Sequence, residues 1–446
     1  TGFDVANSCR FGVNTYMHKV LGSDNEKDTW TFSLWVKRGK SGSTQRMMTH
    51  NGATSGKFFY LRWESNEQLH FHIGMSDGNF AAFDTTQVFR DHSAWYHIVC
   101  AVDTTQGTEA NRVKIYVNGS QVTAFGTSNY PAQNTTALLG NTSTPLVVGG
   151  LYGSGFGITS GSPQEFYDGY LAEVCFIDDA QLAADSFGEF DSDSGIWKPK
   201  NVSGLTFGTD GFYLDFQASG NLGNDANGGT DLTEVNLAAA DQSTDTCTNN
   251  FATLNPLNNY WSQATFSEGN SVYTSNNTTD YYGVSQSTIG VSKGKWYFEA
   301  KNSTNTNQGI LGITSRNKTS RTSWLGSTTQ AYGYYSDGGV IRSGGSDTSY
   351  GQSYGENDII GIYMDLDNNK MYVSDNGALQ NSGTGHSITA AASTDSGFYH
   401  FAVGDNSDNT QVWQCNFGGT SGFAISSGNT DDNGYGNFEY SPNITG

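Results

Sequence analysis

The stretch of sequence that decides the fold is Asn357–Gly377, which reads NDIIGIYMDLDNNKMYVSDNG. Its apolar side chains alternate with the other face at Ile360, Ile362, Met364 and Leu366. This period of two is typical of a half-buried β-strand. The polar residues 367–369 reverse the chain into a second apolar run, and the Asn376-Gly377 pair that follows favours another tight turn. The stretch therefore predicts a β-hairpin followed by an Asn-Gly turn.

The same pattern occurs far upstream. Residues 95–103 read WYHIVCAVD, a polar loop follows, and residues 112–119 read RVKIYVNG. Two strand-like runs again precede an Asn-Gly pair. Because each half of the chain carries this device, we expect two β-domains of similar construction.

Length and composition agree with this expectation. A chain of 446 residues is long for a single core, and its size favours two or three domains. Gly (56), Phe (26) and Tyr (24) are abundant, whereas Pro (6) is scarce and charged residues make up 15%. Helical bundles need more Ala, Leu, Glu and Lys, so this composition favours aromatic strands joined by glycine turns.

Charge and cysteine content exclude several classes of protein. The net charge of −21 is spread along the chain, and phosphate binding needs clustered Lys and Arg, so we expect no nucleic-acid partner. The five cysteines are far apart and odd in number, which excludes a disulfide framework and a close-paired zinc site. No apolar run reaches about 18 residues, so no membrane span is predicted.

Residues 1–200 are predicted to form the first domain. Its clearest strand, residues 29–38, places four side chains on one face: Trp30, Phe32, Leu34 and Val36. That face should lie in the core. Further short strands are separated by Gly, Asn and Asp, which favours two antiparallel sheets packed face to face.

This first domain resembles the laminin-G/concanavalin A-like jelly-roll family. The resemblance rests on residues 30–36, 95–97, 116–119 and 168–174. Members often bind glycans, some with calcium. The closing strand of the family often reads Gly-x-Ile-Asp-Glu, and this chain departs from it because Ala172 stands where the Asp would be.

Residues 201–257 are predicted to be a partly structured connector. The run Gly211–Phe216 reads as a strand, and three of its side chains need burial: Phe212, Leu214 and Phe216. A packed strap between domains is therefore expected instead of a free linker.

Residues 258–421 are predicted to form the second domain, and residues 422–446 a polar tail. The order of its strand-like runs, at residues 293–300, 309–314, 331–335, 359–366, 398–404 and 412–419, resembles a SPRY domain. That resemblance implies a second sandwich that binds proteins or peptides through loops at one end. The fold class predicted for the whole chain is all-β, with two concanavalin A-like antiparallel β-sandwiches (jelly rolls) in tandem.

Enzymatic activity is not predicted. A glycosidase needs two carboxylates flanking the sugar bond, and residues 189–194 resemble the start of a Glu-x-Asp-x-x-Glu strand. Ser194 occupies the position of the second Glu, so a solvated acidic loop explains the run better. The EF-hand-like start at Asp365 is rejected because Lys370 and Asn376 replace the required Gly and Glu.

Two pairs are candidate ligands for a metal. Asp178 and Asp179 follow a strand and could bind calcium, although an N-cap before Gln181 is the commoner role. His70 and His72 lie two apart on a strand, hence on one face, and could ligate a metal or contact a sugar. The sequence near them supplies no third ligand, which favours exposed polar residues. No cofactor other than this calcium is predicted.

Aromatic residues in the polar loops of the second domain are the main candidates for ligand binding. They flank Gly and Ser, where a ring can stack on a sugar or anchor a peptide, and they are Trp324, Tyr332, Tyr334, Tyr335, Tyr350 and Tyr354. Burial on a strand face is the alternative, above all for Tyr332 and Tyr334.

The tandem of the two domains in an acidic chain resembles structural proteins of marine bacteriophages, of tail-fibre or virion appendage type. That resemblance implies host attachment: the virion displays an oligomer whose loops bind surface glycan or protein, beside other virion subunits. We therefore expect a virion, and hence extracellular, location. A capsid decoration or cement protein and a secreted bacterial glycan-binding adhesin are the alternatives, and a hydrolase ranks after them.

Overall fold

The computed structural model describes residues 2–22, 26–51, 58–139, 145–150, 165–259, 263–276, 282–304, 307–317, 323–406 and 410–444. The chain divides into two compact units, residues 1–250 and 251–446. Within the described ranges the regular elements are β-strands and short 3₁₀ turns, with no α-helix. The all-β prediction is confirmed.

The first unit contains twenty strands among its described residues. They are β1 Ser8–Phe11, β2 Tyr16–Lys19, β3 Glu26–Lys27, β4 Thr29–Arg38, β5 Gln45–Asn51, β6 Phe58–Trp63, β7 Gln68–Gly74, β8 Phe80–Val88, β9 Trp95–Asp103, β10 Val113–Val117, β11 Ser120–Gln121, β12 Phe125–Asn129, β13 Ala137–Leu138, β14 Leu146–Val148, β15 Gly169–Asp178, β16 Gly188–Phe190, β17 Trp197–Pro199, β18 Phe212–Leu214, β19 Thr233–Val235 and β20 Gln242–Ser243. The 3₁₀ turns are Glu109–Asn111, Ala184–Ser186 and Ala239–Asp241.

Two large antiparallel sheets of the first unit pack face to face. One has the order β11-β10-β9-β4-β15-β1-β20, with β18 also beside β15, and the other has the order β12-β8-β7-β6-β5-β14-β2-β19. The predicted inner face of β4 is fully buried, and the Phe32 ring stacks on Phe59 of the opposite sheet at 5.1 Å between ring centroids. This ring pair joins the two sheets across one apolar core.

Residues 201–250, predicted as part of a connector, extend the sheets of the first unit. Strand β18 pairs with β15, β19 with β2 and β20 with β1. The side chains of Phe212, Leu214 and Phe216 are at most 1% exposed. Short strands lack a long apolar run of their own, so their place in a sheet depends on partners distant in sequence.

A buried ion pair fixes this segment to the first sheet. Lys37 of β4 and Asp245 are 0% and 1% exposed at their side chains, and Lys37 Nζ lies 2.6 Å from Asp245 Oδ2. The Trp95 indole N–H donates to Asp245 Oδ1 at 3.1 Å, and Lys37 Nζ donates to Asn250 Oδ1 at 2.8 Å. The carboxylate thus compensates a cation that water does not reach.

A second buried carboxylate lies beneath the same segment. Glu173 sits at an irregularity of β15, with a φ of 48°, and accepts a hydrogen bond from the Tyr213 hydroxyl at 2.6 Å. Burial raises the pKa of Glu173 to about 7, although the bond from Tyr213 lowers it in part. Glu173 therefore changes its charge close to neutral pH.

Replacing Glu173 with glutamine should remove a pH dependence of stability. The folded pKa exceeds the unfolded one, so this group favours folding fully at low pH and loses that contribution as the pH rises from about 4.5 to about 7. At pH 8, Glu173→Gln should raise the free energy of unfolding of the first unit by at most about 3 kcal/mol, and at pH 4 it should have little effect. Urea denaturation at both pH values measures this. The half-exposed Glu189 supplies the matched control Glu189→Gln, and equal effects of the two variants would contradict the assignment.

The second unit contains fifteen strands among its described residues. They are β21 Leu254–Asn259, β22 Thr265–Ser267, β23 Val272–Thr274, β24 Val284–Ser287, β25 Lys295–Asn302, β26 Gly309–Thr314, β27 Ala331–Tyr335, β28 Val340–Ser343, β29 Ser346–Ser349, β30 Ile359–Asp365, β31 Lys370–Asp375, β32 Ala378–Leu379, β33 His386–Ser387, β34 His400–Asp405 and β35 Val412–Asn416. The 3₁₀ turns are Asn381–Gly383 and Ala391–Ser393.

The second unit is also a two-sheet sandwich. Its sheets have the orders β21-β24-β34-β26-β27-β28-β29 and β22-β23-β35-β25-β30-β31-β32, with β33 beside β31. The Phe298 and Phe401 rings stack across them at 5.2 Å, and Trp413 is fully buried between them. The predicted hairpin is β30 and β31, paired from Ile360 with Asp375 to Asp365 with Lys370.

Both predicted Asn-Gly turns are present. Asn118 and Gly119 have φ values of 48° and 78°, and Asn376 and Gly377 have φ values of 47° and 81°. Positive φ at both central residues is the geometry of the type I′ turn, which Asn-Gly adopts at low cost. The Asn-Gly pair that occurs in each half of the sequence thus forms the same type of turn in each unit.

The polar tail packs on the second unit through a buried carboxylate. Glu299 of β25 is 0% exposed and accepts hydrogen bonds from the backbone N–H groups of Glu439 and Tyr440, at 2.8 and 3.2 Å. The Asn416 amide and the Tyr297 hydroxyl donate to it as well, at 2.8 and 2.9 Å. Burial raises the pKa of Glu299 although these hydrogen bonds oppose the rise.

Candidate functional site

Five of the six predicted loop aromatics are not on the surface, which corrects the sequence prediction. The side chains of Tyr332, Tyr334, Tyr335, Tyr350 and Tyr354 are between 0% and 7% exposed. The first three lie in β27, and four of the five belong to the main core of the second unit. A ring buried in this way cannot stack on a ligand without a rearrangement of the core.

Their hydroxyl groups are used internally. The Tyr354 hydroxyl donates to the Gly309 carbonyl at 2.8 Å, and the Tyr350 hydroxyl donates to the Thr384 carbonyl at 2.9 Å. Burial raises the pKa of Tyr350 to about 12, so this hydroxyl stays protonated. A buried tyrosine needs such a partner, and these bonds give the rings a structural role.

Trp324 differs from the five tyrosines. Its ring is partly buried and lines a cavity of about 420 Å³ that opens beside the ends of β24, β26 and β27. Tyr282 contacts it edge to face at 5.5 Å. Its indole N–H is buried and has no hydrogen-bond partner among the residues that the structure describes. A buried donor without an acceptor is costly, so this N–H stands out among the described residues of the cavity lining.

The rest of the described lining mixes apolar and polar side chains, and its charges are balanced. Of the residues described there, six that carry hydroxyl groups line it: Thr314, Ser315, Ser323, Ser327, Thr328 and Ser396. At its rim, Arg316 Nη2 lies 2.5 Å from Asp395 Oδ2, and both side chains are at least 40% exposed. The lining therefore offers an aromatic face, hydroxyl groups and a paired cation and anion, which suits a neutral ligand rich in oxygen.

His70 and His72 share one face of β7, as predicted from their spacing. The His72 ring stacks on Tyr60 at 4.7 Å with an interplanar angle of 8°, and the His70 ring stacks on Tyr60 at 5.3 Å. Burial lowers the pKa of His72 to about 4, and electrostatic interactions with His70, Arg62 and Arg46 add to the lowering. His72 is therefore neutral near pH 7 and acts as part of an aromatic row that ends at the half-exposed Phe80.

The structure brings two carboxylates to His70 that the sequence analysis missed. Register pairs His70 with Asp84 of β8 and with Arg62 of β6, and Glu64 follows β6 directly. His70 Nδ1 is hydrogen bonded to Asp84 Oδ1 and lies 3.8 Å from Glu64 Oε1. The alternation of side chains along β8 indicates which residues share a face of the sheet. It does not indicate the register between β7 and β8, which places Asp84 opposite His70.

The pair Asp178 and Asp179 is arranged differently from the predicted calcium site. Asp178 is 4% exposed, and Lys27 Nζ lies 2.7 Å from its Oδ1. Asp210 is a second partner of Lys27, at 3.0 Å. Asp179 is exposed with a φ of 66°. A calcium ion at Asp178 would have to displace the ammonium group, so the structure does not support the pair as ligands.

The run Glu189–Ser194 covers the end of β16 and the first part of the turn that joins it to β17. Lys198 contacts both acidic groups, at 3.6 Å from Glu189 and 3.1 Å from Asp191. The Asp191 carboxylate also accepts the backbone N–H of Ser194 at 2.9 Å, and these hydrogen bonds lower its pKa. Asp191 therefore does not resemble a glycosidase acid, which needs a raised pKa.

One protein-family model matches part of each unit. Residues 12–185 match Laminin_G_3, the Concanavalin A-like lectin/glucanases superfamily, and residues 295–420 match the SPRY domain. The predicted tandem of these two domain types is confirmed. No match was found among curated protein sequences. No helix in the described part of the chain has the length and hydropathy to cross a membrane.

Solved structures resemble parts of the chain at low identity. The SPRY domain of human HERC1 is 12% identical over 36% of this chain and 96% of its own, with a TM-score of 0.29. Another human SPRY domain is 14% identical over 33% of this chain and 92% of its own, with a TM-score of 0.26. The heptameric SAP-like pentraxin of Limulus polyphemus is 16% identical over 48% of this chain and 94% of its own, with a TM-score of 0.31.

Proposed function

We propose that this tandem of a lectin-type sandwich and a SPRY domain is a virion structural protein of tail-fibre or appendage type that binds glycan on a host surface. The observation that carries the binding role is the Trp324 cavity, with its hydroxyl lining and a buried indole N–H that has no hydrogen-bond partner within the described ranges. The virion setting is supported by the resemblance of the tandem to phage appendage proteins.

A neutral glycan fits the chemistry of this cavity better than a charged ligand. Among the residues that the structure describes, the charged side chains in its lining are Arg316 and Asp395, which neutralise each other. A sugar ring presents C–H groups to an aromatic face and hydroxyl groups at its edge. The Trp324 ring and N–H, with the surrounding Ser and Thr hydroxyls, supply partners for both.

One cavity of about 420 Å³ covers a short stretch of glycan, so a single chain should bind weakly. Display of many copies on one particle converts later contacts into intramolecular ones and raises the overall affinity. The proposal therefore includes a homo-oligomer beside other virion subunits. No enzymatic step and no cofactor form part of it.

Replacing Trp324 with alanine should abolish glycan retention. The variant loses the aromatic face and the donor, and we expect at least about a tenfold loss of affinity, as for a buried aromatic anchor. The measurement is a glycan array with the full chain, followed by calorimetry on the best ligand. Trp296 is the matched control, because it is 46% exposed on β25 and its N–H already donates to the Lys293 carbonyl at 2.7 Å.

Two outcomes of that experiment would overturn the proposal at different points. If Trp296→Ala and Trp324→Ala lose glycan affinity equally, or if neither loses any, the cavity is not the glycan-binding site. An array without any retained glycan would remove the lectin role. A cryo-electron map of the source particle then decides the setting. Projection from the particle with the Trp324 cavity open supports attachment, whereas burial of the cavity against shell subunits identifies a capsid cement protein, and absence from the particle identifies a secreted adhesin.

A further inference from the structure

Three ligand-type side chains meet on the outer face of the second sheet of the first unit. They are Glu64, His70 and Asp84, and their potential ligand atoms all lie within 4.8 Å of one another. We propose that this Glu64–His70–Asp84 cluster binds a divalent transition-metal ion of the zinc class. The proposed site is independent of the Trp324 cavity and of the glycan-binding role.

The sheet register builds the cluster. Strands β7 and β8 place His70 and Asp84 directly opposite each other, and Glu64 lies two residues beyond Arg62, the partner of His70 on β6. His70 Nδ1 already contacts Asp84 Oδ1 and is 3.8 Å from Glu64 Oε1. A zinc ion about 2.0–2.2 Å from each ligand needs separations of roughly 3.3 Å, so Asp84 Oδ1 must move away from His70 Nδ1 and Glu64 Oε1 must move towards it.

Neighbouring residues hold the ligand groups in place. Arg62 donates to Glu64 Oε1 from Nε at 2.7 Å and from Nη2 at 2.6 Å. The His70 ring is stacked on Tyr60 at 5.3 Å, which restricts its rotation. Contacts of this kind orient metal ligands and fix their rings. Oε1 of Glu64, the oxygen near His70 Nδ1, is shared between Arg62 and the ion in the proposed site.

The charge and exposure of the face also fit a cation. Three carboxylates, from Glu64, Asp84 and Glu165, surround two guanidinium groups, from Arg46 and Arg62. The carboxylates of this face therefore outnumber its guanidinium groups by one. The side chains of His70, Glu64 and Asp84 are 12%, 21% and 25% exposed, so an ion can reach them while part of the water is excluded.

The donor set selects the class of ion. One imidazole nitrogen and two carboxylate oxygens suit Zn²⁺ and similar first-row ions, whereas Ca²⁺ and Mg²⁺ favour sets made of oxygen alone. Three protein ligands leave at least one position on a tetrahedral ion for water or for a ligand from solution.

The test is a calorimetric titration of the chelator-treated full chain with zinc chloride. We expect the wild-type chain to bind one more zinc ion than the His70→Ala variant. We expect Asp84→Asn to bind this ion with an affinity at least tenfold lower. His72→Ala is the matched control: His72 shares the face and the Tyr60 stack but is not a member of the cluster. It should retain the ion.

Absorption-edge spectroscopy of the zinc-loaded chain gives a readout that a folding defect does not imitate. We expect one nitrogen and two or more oxygens near 2.0–2.2 Å. A sulfur-rich shell, equal zinc binding by wild type and His70→Ala, or no zinc binding at all would overturn the proposal. If His70→Ala does not fold, as judged by circular dichroism, Glu64→Gln replaces it in the titration, and unchanged zinc binding by both Glu64→Gln and Asp84→Asn overturns the site.

Discussion

Replacement of Asp245 by alanine is expected to lower the free energy of unfolding of the first unit by about 3–5 kcal/mol. The substitution removes the carboxylate that lies 2.6 Å from Lys37 Nζ, at a place where both side chains are no more than 1% exposed. It also removes the acceptor of the Trp95 indole N–H. A buried cation without its anion is far more costly than the ion pair is favourable, so truncation of one partner has a large effect.

The measurement is urea denaturation, with hydrogen exchange of the β4 and β20 amides to assign the transition to the first unit. The double variant Lys37→Met with Asp245→Ala should recover at least half of the loss, because it leaves no unpaired charge. Asp347→Ala is the control: its ion pair with Arg342 is half exposed at Asp347, and its loss should cost less than about 1 kcal/mol. A loss of that small size in Asp245→Ala would show that the pair does not hold residues 201–250 in place.

Replacement of Glu299 by alanine is expected to release the tail from the second unit. Four donors lose their acceptor at once, and each buried donor left unsatisfied costs roughly 1–3 kcal/mol. Detachment of the tail lets water satisfy the backbone donors, so residues 423–444 should become sensitive to protease. The free energy of unfolding of the second unit should fall by about 4 kcal/mol.

Limited proteolysis and hydrogen exchange at Glu439 and Tyr440 measure this release. Glu439→Ala is the matched control, because it removes a carboxylate from the tail itself and keeps the backbone N–H that Glu299 accepts. The Glu439 side chain bonds to Ser426 and Ser427 at the surface, so its loss should leave the tail attached. If both variants expose the tail equally, Glu299 is not its anchor.

Much of the fold could be predicted because its strands carry a strong local pattern. The alternation at Ile360, Ile362 and Met364, and the Asn-Gly pairs after both hairpins, depend only on residues close in sequence. The buried face of β4 is of the same kind. The secondary structure of residues 201–250 is harder to predict. Strands β18, β19 and β20 are only two or three residues long, and they form because they pair with strands distant in sequence.

The candidate sites were less predictable than the fold. Tyrosine is suited both to a binding loop and to a sandwich core, and its sequence surroundings at Tyr350 and Tyr354 are polar in either case. Only the structure reveals that the hydroxyl groups of these residues find carbonyl partners inside the unit. Trp324 remained a candidate because its N–H finds no such partner in the described ranges.

The His70 cluster illustrates a further limit. The two-residue spacing correctly placed His70 and His72 on one face, and the cluster members Glu64 and Asp84 lie 6 and 14 residues from His70 in sequence. Which of several nearby carboxylates meets the ring is decided by the pairing of β6, β7 and β8. Register of this kind is a property of three strands together, and no single strand encodes it.

The way in which Glu299 holds the tail has a consequence for how the end of the chain can change. Two of its four hydrogen bonds come from the main chain at Glu439 and Tyr440, and every residue except proline carries such an N–H group. Glu299 therefore binds the backbone at those two positions, and these two hydrogen bonds do not depend on which side chains are present there. Substitutions at those two positions can therefore accumulate while the attachment point stays the same.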